Sequence, residues 1–186
     1  MSYTILQTRE YTQVDQQIFA ELSGDFNPLH LDPIIARREF LGDVVVHGMH
    51  CVLDALEQYC VSRQNMDSPM ALRKLTVKFP GAVYLNRPTT ILMQDLDNGV
   101  KLEVCDAEQQ FLVRIDLLRE DEPTYSDLSY PIVVPVGRRT QPLDLSFDDL
   151  KDRQGAIPLY LPPERMEIMF PHLFACFPHR FLAELM

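Results

Sequence analysis

Apolar residues recur at helical spacing early in the chain and at strand spacing later. Tyr11, Val14, Ile18 and Leu22 lie three or four apart, which predicts a helix with Thr12 as N-cap, Asp15 as its reciprocal partner, and a stop at Ser23-Gly24. Asp32-Pro33 is a second start signal, an acceptor side chain before a proline at the first helical position, and Gly42 can end that short element. From Gly48 to about Arg63 there is no interior glycine or proline. Met49, Val52, Leu53, Leu56 and Cys60 share one face there, which predicts the main buried helix. Leu75, Val77 and Phe79 alternate with Thr76 and Lys78, a strand with one wet face. Thr89–Leu96 is β-prone, Val100–Val104 alternates after an Asp97-Asn98-Gly99 turn, and Phe111, Val113, Ile115 and Leu117 alternate after Glu108-Gln109. These four runs read as an antiparallel meander. With Tyr3–Thr8 as a first strand, the layout is α+β, one long helix lying across one sheet.

Proline use changes near Leu118. Residues 1–118 hold 5 of the 14 prolines and residues 119–186 the other 9, so the first segment reads as one domain and the second as a proline-rich linker and helical extension. Helical patterns return at about Phe147–Arg153, Pro163–Phe174 and His179–Met186. The apolar run Phe181–Met186 has no cap, which fits the start of a truncated second module as well as a docked C-terminal helix.

With 17 Lys+Arg against 27 Asp+Glu, the net charge of -10 argues against a nucleic-acid partner. No apolar run approaches the roughly 20 residues of a bilayer span, and the first residues lack a basic flank before an apolar stretch, so neither membrane insertion nor secretion is expected. Cys51, Cys60, Cys105 and Cys176 form no CxxC pair. They read as reduced thiols of a cytoplasmic protein.

The chemistry concentrates in Ser23-Gly-Asp-Phe-Asn-Pro-Leu-His-Leu-Asp32, followed fifteen residues later by His47-Gly-Met49. Asp25, His30 and Asp32 occupy a proline-interrupted loop where side chains can converge, and Gly48 opens the long helix. Main-chain N–H groups at a helix start are unsatisfied and carry partial positive charge, so Gly48 can hold an oxyanion. An acid, an imidazole and an oxyanion donor are the parts for adding or removing water beside a carbonyl. Each part also has a structural reading: Asp25 as an Asx-turn, Asp32 as an N-cap, His30 and His47 as hydrogen-bonding residues. A zinc or iron set from His47, His50, His30 and an aspartate is a third, weaker option, because histidines three apart on a helix are common by chance.

The run SGDFNPLHLD, then Ala36, then GDVVVHGM, resembles the signature of the MaoC-like, R-specific enoyl-CoA hydratase family of hot-dog proteins. The resemblance extends over roughly residues 3–118. It implies a hot-dog fold, with the antiparallel sheet wrapped around the long central helix. It implies Asp25 and His30 as the catalytic pair and Gly48 as oxyanion donor, with Asn27, His47 and Met49 toward the substrate. The implied reaction is syn hydration of a trans-2-enoyl thioester, or dehydration of an R-3-hydroxyacyl thioester. No metal or redox cofactor is expected, CoA or phosphopantetheine arriving as part of the substrate. The implied partners are an acyl-CoA or acyl-carrier-protein substrate and a second hot dog, in a homodimer or double hot dog. The stretch Phe79–Pro88 and the helix residues His50, Cys51, Leu53 and Leu56 depart from the family pattern. A non-catalytic acyl-binding or assembly module and a hot-dog thioesterase are the alternative functions.

Overall fold

The computed structural model describes residues 2–63, 72–119 and 163–176. Strand β1 (Thr4–Glu10) leads into helix α1 (Gln13–Ser23), then come two one-turn helices, α2 (Pro28–Leu31) and α3 (Pro33–Ala36), and the long α4 (Gly48–Ser62). Strands β2 (Leu72–Lys78), β3 (Pro88–Leu96), β4 (Gly99–Cys105) and β5 (Phe111–Arg119) follow, and two short helices, α5 (Pro163–Met169) and α6 (Pro171–Cys176), close the described chain.

Local chemistry explains the helix ends. Thr12 and Asp15 form a reciprocal capping box, and Gly24 ends α1 in the left-handed region at φ 77°, where a Cβ is disfavoured. The Asp32 carboxylate accepts from the N–H groups of Ile34 and Ile35, with Pro33 at the first helical position of α3. That helix is only one turn long, and the chain reaches Gly42 through turns. Segment 28–31, read from sequence as loop, is the helix α2, capped by Asn27 with Pro28 at its start.

All strand pairs are antiparallel, in the order β1-β3-β4-β5-β2. Only β3, β4 and β5 form a meander. β2 crosses to the far edge and pairs with β5, so the expected four-strand meander is corrected: the 79–87 connection spans the sheet instead of turning back as a hairpin. The tight β3–β4 turn needs Gly99, where a Cβ would stand 2.0 Å from the Leu117 carbonyl oxygen.

The sheet wraps α4. Ile91, Val100, Leu102, Val104, Ile115 and Leu117 are buried against Val52, Leu53 and Leu56, the alternation of each strand turning one row of side chains inward. Burial extends all round α4, including His50, Asp54 and Glu57, beyond the single apolar face that periodicity indicated. The reason is a second cover. Met166, Phe170 and Leu173 of the 119–186 segment join the same core, and Glu57 accepts from the main-chain N–H groups of His172 and Leu173 at 3.1 and 2.6 Å and from His172 Nδ1 at 2.6 Å. The helix start expected at Pro163 is met, while Phe147–Arg153 and His179–Met186 lie outside the described residues.

The buried face of α1 also differs. Val14 and Ile18 are 61% and 49% exposed, and the inward stripe is Gln16, Phe19, Ala20 and Leu22. A polar residue at the centre of that stripe displaced the apolar pattern by one face.

Candidate active site

His30 is carried by α2, whose start is fixed by Asn27: its side-chain oxygen accepts from the Leu29 N–H at 3.0 Å. The Asp25 carboxylate in turn accepts from the Asn27 N–H at 3.0 Å, an Asx-turn that leaves half of this side chain exposed. Val44–Val46 run buried from α3 toward α4 and dock by main-chain bonds on 83–85. The Val45 carbonyl lies 2.8 Å from His30 Nδ1. A carbonyl only accepts, so Nδ1 carries the ring proton and His30 Nε2 keeps a free lone pair in the neutral ring.

His47 ends this run as the N-cap of α4 without capping it through its side chain. The ring is turned inward, stacked at 4.0 Å on His30 and held between Gln16 Oε1, 2.8 Å from Nδ1, and the Asp25 carbonyl, 3.0 Å from Nε2. The Asp25 carboxylate stands 4.0 Å from the same Nε2. Burial sets His47 below the ordinary histidine range, against the Asp25 carbonyl, which raises it; His30 lowers it further and the Asp25 charge opposes. Asp25, His30 and His47 each offer one donor atom, all within 4.8 Å of one another, so these three are the residues able to hold a metal ion among those described.

Gly48 is the first residue of α4, and no described acceptor takes its N–H. A Cβ at Gly48 would stand 2.9 Å from the Phe79 ring, so glycine lets that ring close over the helix start. His30 and Gly48 line the same cavity of about 410 Å³, whose remaining wall is apolar, including Leu29, Val46, Phe79 and Val83. An imidazole and a main-chain N–H at a helix start thus line one apolar space open to solvent, the kinds of group that can move a proton beside a carbonyl whose oxygen becomes negative.

Of the sequence-derived residues, His30 and Gly48 line the cavity, while Asp25 is not part of its lining and stands with the His30 and His47 rings. Asn27 lines a separate cavity of about 340 Å³ with Pro28, Leu29, Ile35 and Glu39. Met49 packs on the core, and His47 is 2% exposed behind His30. His50 does not join the histidine–aspartate group; it stacks on Phe19 at 4.6 Å with its Nδ1 on the Gln16 amide at 3.2 Å. Two residues went unread in the sequence. Gln16 lies off the apolar positions that marked α1, and only its place three before Phe19 marks the inward stripe; Phe79 read as the last residue of a strand.

Comparison with known proteins agrees with this frame. Over 81 residues the chain is 35% identical to the mitochondrial 3-hydroxyacyl-[acyl-carrier-protein] dehydratase of Arabidopsis thaliana, covering 44% of this chain and 39% of that protein. Over 70 residues it is 34% identical to the peroxisomal hydratase-dehydrogenase-epimerase of Saccharomyces cerevisiae, covering 38% and 8%. The match therefore spans well under half of either curated relative. Among solved structures, the (R)-hydratase from A. caviae involved in PHA biosynthesis aligns with a TM-score of 0.51 at 21% identity, over 63% of this chain and 93% of that one. The MaoC-like dehydratase from Rhodospirillum rubrum aligns with a TM-score of 0.54 at 13% identity, over 65% and 93%. Both show the hot-dog fold here, a sheet wrapped on one long helix. Residues 2–110, more than half of the chain, match the family described as MaoC like domain, so the chain belongs to the MaoC-like dehydratase family.

Proposed function

We propose that this protein adds water to trans-2-enoyl thioesters of CoA or an acyl carrier, or removes it from R-3-hydroxyacyl thioesters. The observation that carries the reading is the shared cavity: His30, whose Nδ1 lies 2.8 Å from the Val45 carbonyl so that the neutral ring has its lone pair at Nε2, lines the same space as Gly48, whose N–H no described acceptor takes. In the hydration direction, water sits between Asp25 and His30. Its oxygen bonds to C3 while His30 Nε2 takes its proton, and the C2–C3 π pair moves into the thioester, whose oxygen accepts from Gly48 N–H. The His30 imidazolium then returns a proton to C2 on the same face. Water is thereby added across the double bond with the thioester intact and His30 neutral again.

The thioester itself acidifies C2, so the reading needs no metal or redox cofactor. Both curated relatives are named for dehydratase or hydratase steps. A homodimer, with the sheet of one copy continuing into the other, and a reducing cytoplasmic setting for the unbridged cysteines belong to the same reading. The test is loss of enoyl absorbance with crotonyl-CoA, a longer trans-2-enoyl-CoA and the carrier-bound form. A product heavier by one water with no free thiol supports the reading; free thiol makes the protein a thioesterase; no turnover of any of the three by the folded chain removes it.

A further inference from the structure

The hydrogen bonds around His47 cannot all be made by its neutral ring. The main-chain N–H of His47 is a donor under all conditions, so the Gln16 amide atom 3.0 Å from it must be the oxygen. That same oxygen lies 2.8 Å from His47 Nδ1, which must therefore carry the proton. The amide nitrogen is then the donor to His50 Nδ1 at 3.2 Å, and His50 can accept it because burial keeps that ring neutral. Every contact of Gln16 is satisfied in this one orientation. On the opposite side, however, Nε2 of the neutral His47 has no proton to offer the Asp25 carbonyl at 3.0 Å, and the Asp25 carboxylate is 4.0 Å away. Without Gln16 the single proton would sit on Nε2 and bond that carbonyl.

We propose that Gln16 is a positioning residue: it fixes the Nδ1–H form of His47 and so leaves His47 Nε2 as a proton-binding atom against the loop that carries Asp25. Of the groups around the ring, Asp25 favours a proton there, while burial and the His30 ring oppose it. Asp25 faces it from the α1–α2 loop, the His30 ring stacks on it from α2, Gln16 and Phe19 cover it from α1, and His50 lies one turn on along α4. When Nε2 gains a proton, His47 bonds α1 and the Asp25 loop at once; when it loses the proton, only the α1 bond remains. That Asp25 reacts rests on the function proposed above, but the position of the ring proton does not.

The experiment is a long-range ¹H–¹⁵N correlation spectrum of the ¹⁵N-histidine-labelled chain, whose five histidines are resolved by the signal lost in His47→Asn. In mildly alkaline buffer the wild-type His47 is expected to give the Nδ1–H pattern. Gln16→Met, close in shape but with no oxygen, should turn it to the Nε2–H pattern and move its titration to lower pH. Gln16→Glu, which keeps an acceptor, should restore the Nδ1–H pattern. The acid limb of kcat/KM against pH should move the same way in Gln16→Met. An Nε2–H pattern in the wild type overturns the proposal without bearing on hydratase activity, and so does an unchanged tautomer in folded Gln16→Met. If Gln16→Met does not fold, the wild-type and Gln16→Glu spectra decide alone.

Discussion

Acidification should destabilise this fold through His50, and the amount can be worked from its surroundings. The ring is 2% exposed, stacked on Phe19, edge-on to Tyr11 and Phe170, and accepts from the Gln16 amide at Nδ1. Burial pulls it from 6.5 down to about 3; Arg9 and His47 push the same way, and Asp15 opposes them. A histidine depressed in the folded state contributes stability that is fully present above the unfolded value and is lost as pH falls toward the folded one. The window therefore runs from about 6.5 down to about 3. Linkage gives a loss of about 2 kcal/mol between near pH 7 and near pH 5, and about 3 kcal/mol by near pH 4, to order of magnitude. Other groups titrate there too, so the assay is a difference. Urea unfolding is followed at each pH for the wild type and for His50→Leu, which fills a similar volume. The stability advantage of wild type over variant should shrink by about 2 kcal/mol across the upper part of this window. A constant difference would refute the reasoning, because it would mean the folded state admits the imidazolium at no cost.

Further outcomes are expected at other positions. Asp25→Asn and His30→Ala should each lower turnover by roughly a hundredfold or more while urea midpoints stay near the wild type. Gly48→Ala keeps the N–H but drives a methyl to within 2.9 Å of the Phe79 ring, which is half exposed and able to swing, so stability should fall little while KM rises. Gly99→Ala places a Cβ 2.0 Å from a main-chain carbonyl, and with no flexible end to yield it should cost at least about 2 kcal/mol in thermal or urea unfolding. Dialysis against a chelator should leave turnover unchanged, and recovery on adding zinc alone would assign the Asp25–His30–His47 group to a metal instead.

How much was legible depended on whether a residue's role is local. Thr12 with Asp15, Asp32 with Pro33, and Gly48 opening a long uninterrupted helix are decided by neighbours a few positions away, and each stands where the pattern placed it. The Asx-turn of Asp25 was equally readable, since its partner lies two residues on, but the one-turn helix that carries His30 was read as loop. What escaped was set by partners far along the chain. β2 pairs with β5 because a crossover carries it to the far edge, and nothing in the alternation of Leu75, Val77 and Phe79 names a partner strand. Val14 and Ile18 satisfied helical periodicity yet face outward, because the inner stripe of α1 meets polar groups of α4 and contains Gln16.

The same logic explains why α4 tolerates charge on its buried faces. Asp54 accepts from Arg9 at 3.0 Å and Tyr11 at 2.8 Å, both delivered by the end of β1, while Glu57 accepts from the start of α6, more than a hundred residues later. A helix read alone as amphipathic is therefore buried all round, its polar positions each matched to a specific donor from a different part of the chain. Those matches orient what packs on α4. His47 and His50, three residues apart, point to one glutamine of α1, and the Asp25 loop is attached to the other side of the His47 ring. The placement of Asp25 and His30, the acid–base pair of the proposed function, is thus carried by buried hydrogen bonds behind it, where a change of one amide to a thioether would be felt through a single proton.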